Sequence, residues 1–483
     1  MNKEKKLIPG LPSGFEDRWD KKLLLKKKLL KAIENNFIKF GAVALETPSF
    51  EISENIGSFL AEDEANPMSD VFSFKDGDKN ITLRYDLSSP LARFVAQNYR
   101  DLTFPYKRYT YGDVFRREKP DSARYRSFMQ FDADIVGTSS FMADAEMCFI
   151  VFDVLKELGF STGDYSTRIS NRKILSGLIQ AVKLADTTIL GDIELVVFRA
   201  IDKLDRLGLE GVKNLLAKGR TDSSGDFTEG ANLSASQIDT IISFLKITND
   251  DPYKTLEEMK YLIGDSEIGQ QGISELGNIT DTLLSKDISN LSFKIDPSVV
   301  RGLAYYTGTV FETELSTPSR SLGSISGGGR YDDLVSRFTG QKVPSTGVSI
   351  GIDRLVSFLY ECDGDSEKGV VDVLVTVMDK NLMHHYIKIA TELRENGINT
   401  DLYVGNPKDF GKQMKYADLR GAAFAIVAGT DEVEADIVQI KDLKLGSKLA
   451  DNISSNEEWK EQPAQFPVKR EALTKKILEL LKR

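Results

Sequence analysis

The chain reads as an α+β protein: a first domain built on an antiparallel sheet and interrupted by a helical block, then a small α/β domain. Three patterns give this reading. Between residues 81 and 137, short strand-like runs alternate with turns and one helix, an antiparallel rhythm rather than a β-α-β repeat. Residues 185–290 are mostly helical in character, and the β-rich pattern returns at Leu291. From Val370 onward, strand runs alternate with helices, as in a mainly parallel sheet.

Each element follows from local chemistry. Residues 21–40 set Leu23, Leu24, Leu29, Leu30, Ile33 and Phe37 near helical spacing among lysines, and Gly41 stops the helix. Residues 43–48 read as a strand ending at Pro48. The helical block contains a Gly/Ser/Asp-rich loop at residues 219–226. Because the β pattern resumes after it, the block is expected as an insertion (185–290) in one discontinuous domain, 1–184 with 291–360. Residues 361–369 are polar and contain glycine, which marks a boundary. Beyond it come a buried-strand run at 370–377, a helix through Leu393, a strand at 400–404, a helix through Tyr416 and a strand at 422–428. The α/β domain is therefore expected over 370–453, followed by a mainly helical tail, 454–483.

Composition narrows the class. The 483 residues are 41% hydrophobic and 28% charged, as in a soluble globular protein of more than one domain. No apolar run reaches the ~18 residues that span a bilayer, so no membrane partner is expected. The basic start lacks an apolar core after it, unlike a signal peptide. Cys148 and Cys362 have neither disulfide-framework nor zinc-ligand spacing; two thiols of this kind fit a reducing, cytoplasmic setting. The adjacent His384 and His385 have no cysteine near them, so no metal site is expected there. A net charge of −10 argues against wholesale coating of nucleic acid, yet a folded RNA can be read through local patches and single-stranded bases.

The stretch from Arg301 to Glu312, Arg-Gly-Leu-Ala-Tyr-Tyr-Thr-Gly-Thr-Val-Phe-Glu, carries the most chemistry. A guanidinium fork binds a carboxylate and a phosphate equally well, while Tyr305 and Tyr306 can wall a small pocket and hydrogen-bond a polar ring. In Thr82-Leu-Arg-Tyr-Asp-Leu-Ser-Ser-Pro, an expected strand presents Asp86 and Ser88 on one face, a carboxylate and a hydroxyl suited to an ammonium group. Residues 115–134 form two alternating runs around a polar turn, a hairpin carrying Arg116, Glu118, Gln130 and Asp134. Farther on, Ser326-Gly-Gly-Gly-Arg-Tyr-Asp and Gly347-Val-Ser-Ile-Gly-Ile-Asp-Arg offer glycines, among them Gly351, that let a flat base approach the sheet. Arg354, at a helix start, can lie against adenine and reach a phosphate. No Gly-x4-Gly-Lys-Ser/Thr segment occurs, so ATP use would not run through a P-loop.

In this order and at this spacing the blocks resemble those of histidyl-tRNA synthetases. Arg301-Gly-Leu-Ala-Tyr-Tyr resembles their Arg-Gly-Leu-Asp/Glu-Tyr-Tyr signature. Phe115-Arg-Arg-Glu followed by Arg124-Tyr-Arg-Ser-Phe-Met-Gln resembles class II motif 2, and Gly347 to Arg354 resembles motif 3. Pro12-Ser-Gly-Phe-Glu-Asp with the helix after it resembles motif 1, the dimer-building element of that class. The likeness extends through Phe198-Arg-Ala-Ile-Asp-Lys to Lys415-Tyr-Ala-Asp and Gly421-Ala-Ala-Phe, which look like an anticodon-binding module.

The resemblance implies a class II synthetase sheet in the first domain, and a homodimer that uses ATP and Mg²⁺ to join L-histidine to tRNA(His). It implies that Arg116, Arg301 and Arg354 are catalytic and stabilise charge on the phosphates. Asp86 and Ser88 would take the substrate ammonium, Gln130 its backbone, and Asp134, Tyr305 and Tyr306 its ring. Arg301 would also bind its carboxylate, and Glu118 and Gly351 would meet adenine. Three positions depart from the usual pattern: Ala304 replaces an acid, Asp134 is shorter than the glutamate of many relatives, and the Asp121-Ser-Ala turn differs. The alternative is a non-catalytic histidine-binding paralogue such as a regulatory subunit of ATP phosphoribosyltransferase, which typically lacks the C-terminal module.

Overall fold

The computed structural model describes residues 8–56, 71–119, 125–182, 190–221, 225, 227–286, 288–289, 291–300, 306–317, 320–363, 370–406, 409–443, 445 and 464–482. The chain divides into two compact units, 1–362 and 363–483.

The first unit is built on an eight-stranded sheet, its strands numbered here in chain order: β1 Val43–Ala44, β2 Tyr106–Phe115, β3 Ser127–Val136, β4 Tyr165–Asn171, β5 Phe293–Ile295, β6 Thr309–Thr317, β7 Arg320–Arg330 and β8 Ser345–Gly351. Their spatial order is β1-β2-β3-β8-β7-β6-β4-β5. The six central strands pair antiparallel, and one parallel strand lies at each edge. The antiparallel expectation holds, and β5 and β6 do follow the helical block in sequence.

One face of the sheet is apolar because every second residue is. Phe131, Ala133 and Ile135 of β3 point into the core with Leu29, Ile33 and Phe37 of the helix Asp20–Lys39. Those three helix residues are four apart and so share a face. Phe37 meets Phe131 edge to face at 4.8 Å. The helix ends where the sequence predicts, at Gly41, whose φ of 76° suits glycine. A second helix, Phe141–Glu157, is capped by the Ser140 hydroxyl accepting from the Met142 N–H and contributes Met147, Cys148 and Val151 to the same core.

The described residues of the helical block share the core of the sheet. Phe198, Ile201, Leu216, Phe244 and Leu283 belong to the cluster that holds the sheet residues Phe131 and Ile169. Its last helix, Glu267–Ser285, lies against the helix Arg172–Ala181 so closely that a Cβ on Gly177 would meet Gly269 Cα at 2.6 Å.

The second unit has a five-stranded sheet in the order Thr400–Leu402, Val373–Val375, Phe424–Val427, Ile437–Asp442, Gln465–Lys469. The first three strands are parallel, as expected, and two antiparallel strands extend them. The sequence reading ended this domain at residue 453 and set the rest apart as a tail. Instead, Gln465–Lys469 is the edge strand, and Leu473 and Ile477 of the helix Leu473–Leu481 are buried in the unit's core. Pro467 hid the strand, since proline lacks the N–H of an interior strand and is tolerated at an edge.

Candidate active site

The other face of the large sheet is polar. Directly paired residues of an antiparallel sheet project to the same side. On β3, Gln130, Asp132 and Asp134 alternate with the buried Phe131 and Ala133. Across from them lie Gly112, Thr110 and Arg108 of β2, and Gly351, Ser349 and Gly347 of β8. Gly327 and Gly329 of β7 pair with Ser349 and Gly347, which continues the lane of small residues. Three of these glycines are required for space. A Cβ on Gly347 would collide with Asp134 Oδ1, one on Gly112 with Arg84 Nη2, and one on Gly329 would come 2.6 Å from the Thr309 carbonyl oxygen and 3.1 Å from the Tyr306 ring.

Asp134, the expected ring acceptor, is held from two sides. Its Oδ2 lies 2.7 Å from Nη2 of Arg108, a fully buried arginine that also donates to the Leu87 carbonyl at 3.0 Å. Its Oδ1 accepts from the Tyr331 hydroxyl. Burial raises the Asp134 carboxyl above the usual range, while Arg108 and Tyr331 oppose the shift. Asp132, buried beside it, accepts from Ser349 Oγ. Burial pushes it up to about 7 with help from the Asp134 charge, while the Arg108 charge opposes the shift. Sequence reasoning missed Arg108, Asp132, Tyr331 and Ser349. The i, i+2 spacing of Asp132 and Asp134 was the one available signal.

Asp86 and Ser88 arise differently from the expectation. The strand Lys79–Leu83 ends before them; Asp86 lies in the link, and Ser88 is the first residue of the helix Ser88–Gln97. Asp86 accepts the Ser89 N–H at 2.9 Å, a cap-like bond at a helix start. The residue is buried, which raises its pKa against the lowering by Ser89 and by the charges of Arg116 and Arg108. Arg84 donates to the carbonyls of Asp113 and Thr47 at 2.8 and 3.0 Å, tying the link to the sheet.

Arg116 leaves β2 with its guanidinium 4.4 Å above the Tyr85 ring and 5.1 Å from the Phe128 ring, and 3.8 Å from Glu118. The paired strands of the expected hairpin are present, and its turn, residues 120–124, lies outside the described residues. So do Arg301, Ala304 and Tyr305; Tyr306 is the part of that signature the structure describes. Gly351 ends β8 opposite Gln130, and Arg354 is exposed on the following helix, Ile352–Asp363, donating to the Ser324 carbonyl at 2.9 Å. Beside it Asp353 is a hub that sequence reasoning did not single out. It accepts from Lys26 Nζ at 3.0 Å, Arg18 Nη2 at 2.9 Å and the Met129 N–H at 2.6 Å. These bonds tie the start of the chain to β3 and to the Gly-Ile-Asp-Arg turn.

This polar face holds groups with unspent capacity. Among the described residues, Gln130 Oε1, Arg116 Nε, and Arg108 Nε and Nη1 are buried without hydrogen-bond partners. Acceptors and guanidinium donors side by side fit a small zwitterion better than a wholly apolar ligand.

The family model described as Histidyl-tRNA synthetase matches residues 14–355, and that described as Anticodon binding domain matches 372–478. The histidine–tRNA ligase of Pelagibacter ubique is 48% identical over 94% of this chain and 96% of its own length. That of Roseobacter denitrificans is 44% identical over 97% and 96%. Among solved structures, a histidyl-tRNA synthetase from a Nostoc species covers 98% of this chain, with a TM-score of 0.77 and 30% identity. A Bacillus halodurans structure described as an ATP phosphoribosyltransferase regulatory subunit/histidyl-tRNA synthetase shares the fold at 22% identity and a TM-score of 0.68. With the sheet, its motifs and these full-length likenesses in agreement, the chain belongs to the histidyl-tRNA synthetase family.

Proposed function

We infer that this chain is a histidine–tRNA ligase, activating histidine with ATP to histidyl-adenylate and transferring the histidyl group to the 3′-end of tRNA(His). The observation that carries the reading is the polar face of β3: Gln130 and Asp134 lie in one row, with Arg108 and Tyr331 locking the acid in place. Asp134 with Tyr306 would take the imidazole, Asp86 and Ser88 the ammonium, and Gln130 the backbone. The substrate carboxylate is already ionised at neutral pH, so its in-line attack on the α-phosphorus needs no strong base. The obstacle is repulsion between two anions. Arg116, Arg301 and Arg354 would offset the charge growing on the phosphoryl oxygens. Glu118 and Gly351 would bound the adenine.

Mg²⁺ would arrive on the ATP phosphates and neutralise them there. No cluster of three acidic, histidine or cysteine side chains suited to a metal occurs among the described residues. A homodimer is supported by exposed apolar side chains that follow the motif 1 helix: Val43 on the edge strand β1, and Phe50, Ile52 and Phe74 on a separate three-stranded sheet formed by Phe50–Ile52, Ser73–Asp76 and Lys79–Leu83. The second unit, which the anticodon-binding model matches over residues 372–478, would read the anticodon, 185–290 would act as the insertion, and the setting would be cytoplasmic.

The regulatory-subunit reading is not favoured, because the full-length relatives at 48% and 44% identity are named ligases and the second unit is present. The test is amino-acid-dependent ATP–pyrophosphate exchange with each of the twenty amino acids. Exchange with histidine alone is the expected result. Absence of exchange with histidine still bound would replace this reading with the sensor one. Arg301→Ala is expected to abolish adenylate formation with the fold intact; near-normal exchange would remove Arg301 from the mechanism.

A further inference from the structure

Three acids are buried at the polar face, Asp86, Asp132 and Asp134, exposed by 9, 2 and 3%. Asp134 has Arg108 against it, and Asp86 has a backbone N–H. Asp132 has the Ser349 hydroxyl and no cation of its own: the Arg108 charge opposes its raised pKa, but that guanidinium is paired with Asp134 at 2.7 Å. An ionised carboxylate buried without a cation costs several kcal/mol, so such a group is normally neutralised or matched by a bound positive charge. Its place on β3 identifies the match. The strand advances about 3.4 Å per residue, so Asp132 stands about 7 Å from Gln130 on one side and from Asp134 on the other. That is midway between the backbone and ring positions of the proposed histidine. Gln130 Oε1 is a buried acceptor with no donor, and the charges of Asp86 and Asp132 reach each other. A tetrahedral ammonium has three N–H donors to satisfy.

We propose that Asp132 is a further histidine-binding residue: it takes the substrate α-ammonium together with Asp86 and Gln130, and makes selection for a free amino group a property of β3. This rests on the histidine reading above. The groups facing Asp132 are Arg108 from β2, Asp134 on its own strand, Arg84 and Asp86 from the link, and Ser349 from β8. With Asp132 near 7 in the free enzyme, a bound ammonium favours the ionised form. Affinity for an amine-bearing ligand therefore rises as pH increases through neutrality, and binding releases a proton.

The test is calorimetric binding to the full chain of two probes, L-histidine and 3-(imidazol-4-yl)propionate, which differs by lacking the amino group. In Asp132→Asn, histidine affinity is expected to fall about tenfold to a hundredfold, the worth of a charge-assisted bond, while imidazolepropionate affinity stays unchanged. Equal loss for both probes, or no loss for histidine, overturns the proposal. Ser349→Ala retains the acid and removes its donor, so the pH midpoint of histidine binding should move upward; an unmoved midpoint counts against Asp132 and covers the case where Asp132→Asn fails to fold. Failure of the parent protein to bind histidine at all would instead overturn the function on which this rests.

Discussion

The strand Ser127–Val136 has two faces, and they obey different rules. Its core face, Phe131, Ala133 and Ile135, is packed against the helix Asp20–Lys39 and exists to remove apolar area from water. Its polar face, Gln130, Asp132 and Asp134, holds buried acids with raised pKa values and an acceptor with no donor. A sequence optimised for stability alone would not place them there. The first face stabilises the fold; the second carries a polar cost that a ligand can offset.

The comparison breaks most directly with a pair of truncations. Phe131→Ala is expected to lower unfolding free energy by about 3–5 kcal/mol through the cavity it leaves. Exchange per folded molecule should stay near the parent value. Arg116→Ala should do the reverse, costing about 10²–10³ in exchange rate with little change in denaturation midpoint. Denaturation curves and exchange assays on both proteins decide it. An Arg116 variant that is destabilised as much as the Phe131 variant would dissolve the distinction between the faces.

A smaller effect sharpens the polar side. Tyr331→Phe removes the hydroxyl that holds Asp134 and should raise the KM for histidine about tenfold, with the KM for ATP unchanged. Tyr306→Phe should act in the same direction, since its ring lies over Gly329 beside the same pocket. Equal changes in both KM values would mean that these tyrosines support the sheet rather than the side-chain pocket.

The two faces also differ in how far the sequence revealed them. Phe131 and Ala133 were legible from alternation, and Gln130, Asp134 and Arg116 from their order in a long motif. The partners of these groups were not. Tyr331 lies 197 residues from Asp134, and Arg18 and Lys26 lie 335 and 327 residues from Asp353. No local periodicity encodes a pairing across such separations; the strand order β3-β8-β7 creates the first of them. Asp86 and Ser88 show a subtler limit. Alternation over residues 79–83 encouraged extending the strand through both, but Asp86 with the Ser89 N–H is a helix-start arrangement, and capping chemistry ended the strand first. Pro467 masked an edge strand in the same way, by carrying the composition of a turn.

The smallest expected effect concerns proton linkage behind the sheet. Arg330 clamps Asp144 with bonds of 3.1 and 2.8 Å, joining β7 to the helix Phe141–Glu157. Burial nevertheless pushes Asp144 up to about 6, with the Arg330 charge opposing the shift. A folded-state pKa above the unfolded value of about 3.9 means that the native protein binds more protons between those two pH values. Its contribution to stability is therefore fully present below about pH 4 and is lost as pH rises through 6. Asp132, near 7, acts with the same sign. Removing that buried charge should stabilise the ligand-free protein at pH 8, so Asp132→Asn is expected to melt about 2–4 °C higher than the parent there, with the difference vanishing near pH 4. Melting curves at the two pH values measure it. A variant that melts lower at pH 8 would show that the Asp132 carboxylate supports the fold, and that the two faces of the strand share the work of stability.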